Sequence, residues 1–145
     1  MKIAIASDHA GYEIKEQVRH HISAMGHDVV DCGTNGLESV DYPQFAAAAA
    51  KKVSDGECEQ AIIVCGTGIG MSMVANKFKG VRAAACCDIF TAEMARRHNN
   101  ANALCVGARV LDLSRILEIV DLYLKTPFEG GRHQRRVDQI GDLER

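Results

Sequence analysis

Apolar positions along the chain recur in two rhythms. Continuous runs at Lys2 to Ser7, His27 to Cys32, Gln60 to Cys65, Val81 to Cys87 and Ala103 to Gly107 are too short for buried helices. Several are apolar enough to be covered on both faces, as strands of a parallel sheet are. Between them the spacing changes to three or four. Ile14, Val18, Ile22 and Met25 mark one face of a first helix, with Lys15, Glu16 and Arg19 on other faces, and Gly26 stops it. Asp41-Tyr42-Pro43 reads as the entry to a second, alanine-rich helix reaching about Ser54, since proline is tolerated in the first turn. A third helix opens within Gly66 to Gly70, a fourth runs from about Thr91 to His98, and a fifth from about Leu113 to Leu124 carries Ile116, Val120 and Leu124 on one stripe. This alternation predicts an α/β fold with a mainly parallel sheet, and 145 residues fit one domain, residues 1–145. After Gly130-Gly131 the tail Arg132 to Leu143 reads as one more helix, with few apolar residues to hold it on its own core.

A formal net charge of −2 gives no electrostatic reason to expect nucleic acid or an anionic membrane as partner. The exception is local. Arg132, His133, Arg135 and Arg136 crowd the C-terminal end, and such a cluster suits a small anion. Cysteines such as Cys65, Cys86 and Cys87 lie in apolar runs, the six include no C-x-x-C, and the apolar stretch after Met1 is too short for a signal peptide or a membrane span. Reduced thiols and a cytoplasmic setting are therefore expected.

Parallel sheets place ligands beyond the carboxyl ends of their strands, which directs attention to the residues around those ends. Asp8, His9 and Gly11 follow the first run; Cys65 and then Gly66-Thr67-Gly68-Ile69-Gly70 follow the third; His98, Asn99 and Asn100 lie near the fifth. A dinucleotide fingerprint would need glycine where Met71 stands, although Asp88 superficially resembles its ribose-binding acid. A phosphate-binding G-x-x-x-x-G-K-[ST] loop lacks its lysine, and a cysteine phosphatase would need arginine at position 71. What remains is a thiol at the mouth of a nest of amides, an arrangement that favours the thiolate as base or nucleophile and supplies donors for an enediolate.

Plainer readings stand beside these. Asp8 and His9 could cap or turn, His98 could sit at a helix C-terminus with Asn99 or Asn100 as its cap, and Arg132 and Arg136 could form a solvated stripe. Arg109 carries the same ambiguity. His20, His21 and His27 read as solvated, as do the alternating charges of the first helix. No His, Cys, Asp or Glu group has a metal-ligand spacing, so no metal is expected.

The segments S-D-H-A-G at Ser7 to Gly11, V-D-Y-P at Val40 to Pro43, C-G-T-G-I-G-M-S at Cys65 to Ser72, A-N-K-F at Ala75 to Phe78, R-H-N at Arg97 to Asn99 and G-G-R-H-Q-R-R at Gly130 to Arg136 together resemble ribose-5-phosphate isomerase B. The resemblance runs from residue 3 to about residue 140 and extends to galactose-6-phosphate and allose-6-phosphate isomerases. It implies a three-layer α/β/α, Rossmann-like sandwich with a five-stranded parallel sheet and a C-terminal helix packing on the partner subunit. It also implies aldose–ketose interconversion through a cis-enediolate, with no metal or organic cofactor. By position, Cys65 matches the base, Thr67 a hydroxyl acting at the oxygens, Gly66 to Gly70 (with Gly68 between) the enediolate amides, and His98 with Asp8 the ring-opening pair. Tyr42 and Asn99 match substrate contacts; His9, Arg132, Arg136 and Arg109 match the phosphate site. Some of these come from the second subunit in the family, which implies a homodimer with a composite site and leaves a tetramer open. One branch of the family has a glutamate base where Ile69 stands, so the chain resembles the cysteine branch. A six-carbon sugar phosphate and a non-catalytic phosphosugar-binding module are the alternatives.

Overall fold

The computed structural model describes residues 1–144. Its elements run β1 (Lys2–Ser7), α1 (Tyr12–Ala24), β2 (Asp28–Asp31), α2 (Tyr42–Ser54), β3 (Gln60–Cys65), α3 (Ile69–Ala75), β4 (Ala83–Ala85), α4 (Ile89–Arg97), β5 (Ala103–Gly107), α5 (Leu113–Lys125) and α6 (Arg132–Gly141). The strands pair in the order β2-β1-β3-β5-β4, all parallel.

Strand side chains alternate between two cores. Ile3, Ile5, Ile62, Val64, Leu104 and Val106 pack on α1, α4 and α5, and Ala4, Ala6, Ala61, Ile63, Cys65 and Cys105 face α2 and α3. The alanines of β1 meet Ala46, Ala49 and Ala50 of α2, so small residues on both sides let that helix lie close to the sheet. Helices cover both faces, as the three-layer sandwich requires.

The central strands β1, β3 and β5 span the runs read from sequence. The edge strands are shorter than expected: β2 lacks His27 and Cys32, and β4 lacks the ends of Val81 to Cys87. An edge strand pairs on one side only, and at Val81 the backbone N–H turns to Phe78 O instead. Helix α4 starts two residues before Thr91 because the Asp88 carboxylate accepts the Thr91 N–H at 2.7 Å. Asp88 is a cap.

One expectation about α1 fails. Lys15 is fully buried, its ammonium donating to Asp31 Oδ1 at 2.8 Å and to Thr34 O at 2.6 Å. It ties α1 to the segment after β2. His21, expected to be solvated, meets Asp121 of α5 at 2.7 Å. In α6, His133 and Val137 are buried against their own chain and most other positions are exposed. No described helix is long and apolar enough to cross a membrane.

Candidate active site

Register assembles the first group. Ser7 pairs with Val64 and Cys65 with Gly107, so Asp8, Cys65 and the residues after Gly107 emerge side by side at the carboxyl ends of β1, β3 and β5. Beyond Cys65 the chain must turn tightly, and Gly68 does so at φ +84°, where a Cβ would lie 3.1 Å from the Val106 backbone of β5. The turn brings the Gly68 N–H to within 3.1 Å of Cys65 Sγ, a donor that stabilises negative charge on sulfur. Thr67 Oγ1 accepts the Ile69 N–H at 3.2 Å. The amides of Thr67 and Gly70 have no protein acceptor among the described residues.

Neighbouring segments close this group. Ala108 N–H donates to Cys65 O at 2.8 Å and Arg109 N–H to Gly66 O at 3.0 Å, which carries the Arg109 guanidinium over Gly66. Gly107 has no room for a side chain: a Cβ there would lie 2.7 Å from Thr67 Cα. The Tyr42 hydroxyl leans on Gly70, 2.7 Å from where a Cβ would stand. Asp8, buried, accepts the Gly11 N–H through Oδ1 at 3.0 Å, so it does fix the turn into α1, with Oδ2 left over among the described residues. His9 Nδ1 accepts the Val40 N–H at 3.1 Å. In a neutral ring that bond places the proton on Nε2, which leaves His9 a donor for an anion.

The second group lies at the other end of the sheet. His98 caps the C-terminus of α4, and the following residues run beside the amino ends of the strands: Ala61 N–H donates to Asn102 O, Asn102 N–H to Arg82 O, and the Tyr123 hydroxyl lies 2.9 Å from Ala101 O. Grouping His98, Asn99 and Asn100 with the carboxyl-end residues is therefore corrected. They precede β5, and the order helix, His98, strand could have shown this from sequence. Asn99 lines a cavity of about 650 Å³ between α6 and the turn before β4, with Phe78, Val81 and Ile140. Within one chain, Asp8 and His98 do not meet.

Around His98 the structure gathers residues that sequence spacing left apart. The His133 ring stacks on His98 with centroids 4.1 Å apart and planes 11° from parallel. Glu129 Oε2 stands 3.5 Å from His133 Nε2, and Arg97 Nε donates to Glu129 Oε1 at 2.7 Å. The Arg97 guanidinium holds the Glu129 carboxyl below the usual range, and burial, followed by the charges of His98 and Arg132, pushes His133 down. The ligand atoms of His98, Glu129 and His133 lie within 4.8 Å of one another. Two features make this a poor cation site: stacked rings direct their lone pairs in parallel instead of toward one point, and Arg97, Arg132 and Arg136 make the surroundings cationic. Glu129 and His133 had one sequence signal, their i, i+4 spacing.

Comparison with known proteins bears on what this arrangement serves. A family model described as Ribose/Galactose Isomerase matches residues 3–140. Ribose-5-phosphate isomerase B of Escherichia coli (strain K12) is 43% identical over 143 residues, 99% of this chain and 96% of that protein. Among solved structures, ribose-5-phosphate isomerase B of Clostridium thermocellum superposes with a TM-score of 0.97 at 49% identity, over 99% of this chain and 97% of that one. The Mycoplasma genitalium ribose-5-phosphate isomerase B, solved with bound ribulose-5-phosphate, gives 0.95 at 45%, over 97% and 94%. On a match spanning nearly the whole chain, the chain belongs to the ribose/galactose isomerase family.

Proposed function

We propose that the chain interconverts ribose 5-phosphate and ribulose 5-phosphate by proton transfer through a cis-enediolate, with Cys65 as the base. The observation that carries this reading is the Gly68 N–H aimed at Cys65 Sγ, inside a turn whose Thr67 and Gly70 amides remain available. The thiolate removes the C2 proton of the open-chain aldose, the electron pair moves into the C1–C2 bond, and the carbonyl becomes an enediolate oxygen. Thr67 and the turn amides stabilise that oxygen. Transfer of the O2 hydroxyl proton to O1 and return of the carbon-bound proton from the Cys65 thiol to C1 give the ketose and restore the thiolate, with no net redox change and no cofactor required by the balance. Arg109 over Gly66 and Tyr42 against Gly70 flank the same mouth as substrate contacts.

The reading includes a second copy of the chain. Ring opening and phosphate binding are assigned to His98 with Asp8 and to His9, Arg132 and Arg136. Yet His98 and the arginines of α6 stand at the amino edge while Cys65 stands at the carboxyl edge. A homodimer whose partner contributes the His98 group to the Cys65 mouth reconciles the two. Exposed Ile69 on the Cys65 turn and Val110 just beyond β5 support that mouth being covered by protein. Six unpaired cysteines suit a reducing, cytoplasmic compartment.

The test is a coupled isomerase assay on ribose 5-phosphate, ribulose 5-phosphate, allose 6-phosphate and galactose 6-phosphate side by side. Turnover of the pentose phosphates above the hexose phosphates is expected. Preference for a hexose phosphate would reassign the substrate, and binding without turnover would reduce the chain to a phosphosugar-binding module.

A further inference from the structure

His133 is the one residue of the Arg132–Arg136 cluster that is buried, and its ring stacks on His98. Two contacts seat it, one of them through a residue that is itself anchored. Its backbone N–H donates to Gly130 O at 3.1 Å, Glu129 lies 3.5 Å from Nε2, and Glu129 is itself anchored twice on α4, through its N–H to Arg97 O and through its carboxylate to Arg97 Nε. Arg97 is braced in turn by Glu93 at 2.9 Å. The start of α6 is thereby fastened to the end of α4, and the product of that fastening is a flat ring laid against one face of His98.

A general acid or base at the C-cap of a helix needs such support. His98 has no side-chain hydrogen bond among the described residues, so nothing else orients its imidazole. From this geometry we infer that His133 is a positioning residue, which, seated by Glu129, holds the His98 ring in the orientation its proton transfer needs. The inference rests on the reading of His98 as the ring-opening group. It extends that reading to His133, which otherwise looks like part of a basic tail, and to Glu129, which seats it.

The stack also limits charge. Two imidazolium rings 4 Å apart repel, so the pair carries one proton in preference to two. The groups facing it are Arg97 and Glu93 from α4, Glu129 from the connecting segment, and Arg132 and Arg136 from α6; burial, then the charges of His98 and Arg132 beside it, hold His133 below its ordinary value. Removing His133 should therefore change the titration of His98 as well as its orientation, which a structural filler would not do.

The test compares His133→Ala, His133→Phe and Glu129→Gln in the full-length protein, with urea unfolding as a check of folding. In His133→Ala, kcat with ribose 5-phosphate should fall about tenfold with KM held within about twofold, since the loss lies in proton transfer and not in phosphate binding. The NMR titration midpoint of the His98 ring in the free enzyme should move. His133→Phe keeps a flat ring and should recover most of the lost kcat. Wild-type kcat with an unmoved His98 titration in His133→Ala overturns the inference. So does a folded His133→Phe no better than His133→Ala. Should His133→Ala fail to fold, Glu129→Gln takes its place, and an unmoved His98 titration there has the same force. His98→Asn separates the two levels: full ribose 5-phosphate turnover in it removes the ring-opening role, whereas the NMR titration of His98 in His133→Ala still reports whether His133 governs His98.

Discussion

Mixing two defective chains tests whether the site is shared between subunits. Cys65 ends β3 at one edge of the sheet and His98 precedes β5 at the other, with the five residues of β5 between the two edges. At roughly 3.3 Å per residue that separation is about 16 Å. A ring-opening group must come within about 3 Å of the sugar oxygen it protonates, and that oxygen lies only a few bonds from the carbon Cys65 deprotonates. One chain cannot supply both. Cys65→Ala and His98→Asn chains, differently tagged and exchanged at equal amounts, should give about half heterodimers if assembly is random. In each heterodimer one site holds both defects and the other neither, so about a quarter of all sites are intact and about a quarter of wild-type ribose 5-phosphate turnover should return above the two parents. Sites built within one chain would each keep a defect. Verified heterodimers at parental activity would therefore refute the topological argument.

Further outcomes follow from individual contacts. Tyr123→Phe removes a buried hydroxyl that lies 2.7 Å from Gln60 Oε1 and 2.9 Å from Ala101 O, and should cost about 1–3 kcal/mol in urea unfolding. Lys15→Met leaves the Thr34 carbonyl and Asp31 without their ammonium and should destabilise by a similar amount, about 1–3 kcal/mol, loosening the segment after β2. Gly70→Ala places a Cβ 2.7 Å from the Tyr42 hydroxyl, and should raise KM more than it lowers stability. The folded value of His133 lies below its ordinary one, near 6.5, so the unfolded chain takes up the proton more readily than the folded chain. Its contribution is intact above about 6.5 and is lost as pH falls through the lowered folded value; His133→Phe should make unfolding midpoints at pH 7.5 and 5.5 differ less than in the wild type.

What could be read from sequence follows the physics of each element. The strands β1, β3 and β5 are buried on both faces and paired on both edges, so their limits coincide with unbroken apolar runs; at β2 and β4 one edge is unpaired, and apolar residues beyond the ladder no longer mark strand. The Cys65 turn was legible because glycine at positive φ leaves few alternatives. Lys15 was not, since periodicity assigns a charge to the wet face unless its partner is known, and Asp31 and Thr34 come from another element. The stack of His98 on His133 was equally hidden, because it depends on how α6 folds back over α4. Asp88 shows the reverse case, where a resemblance to a ribose-binding acid gave way to a helix cap.

The central claim is proton transfer by Cys65, and Cys65→Ala tests it most directly. With ribose 5-phosphate as substrate, the account predicts loss of isomerisation to below about a hundredth of wild-type kcat, while calorimetric affinity for the sugar phosphate stays within about tenfold, because only the base is removed. A Cys65→Ala enzyme retaining a tenth or more of wild-type kcat, about 0.1, would contradict it and move the base to another residue.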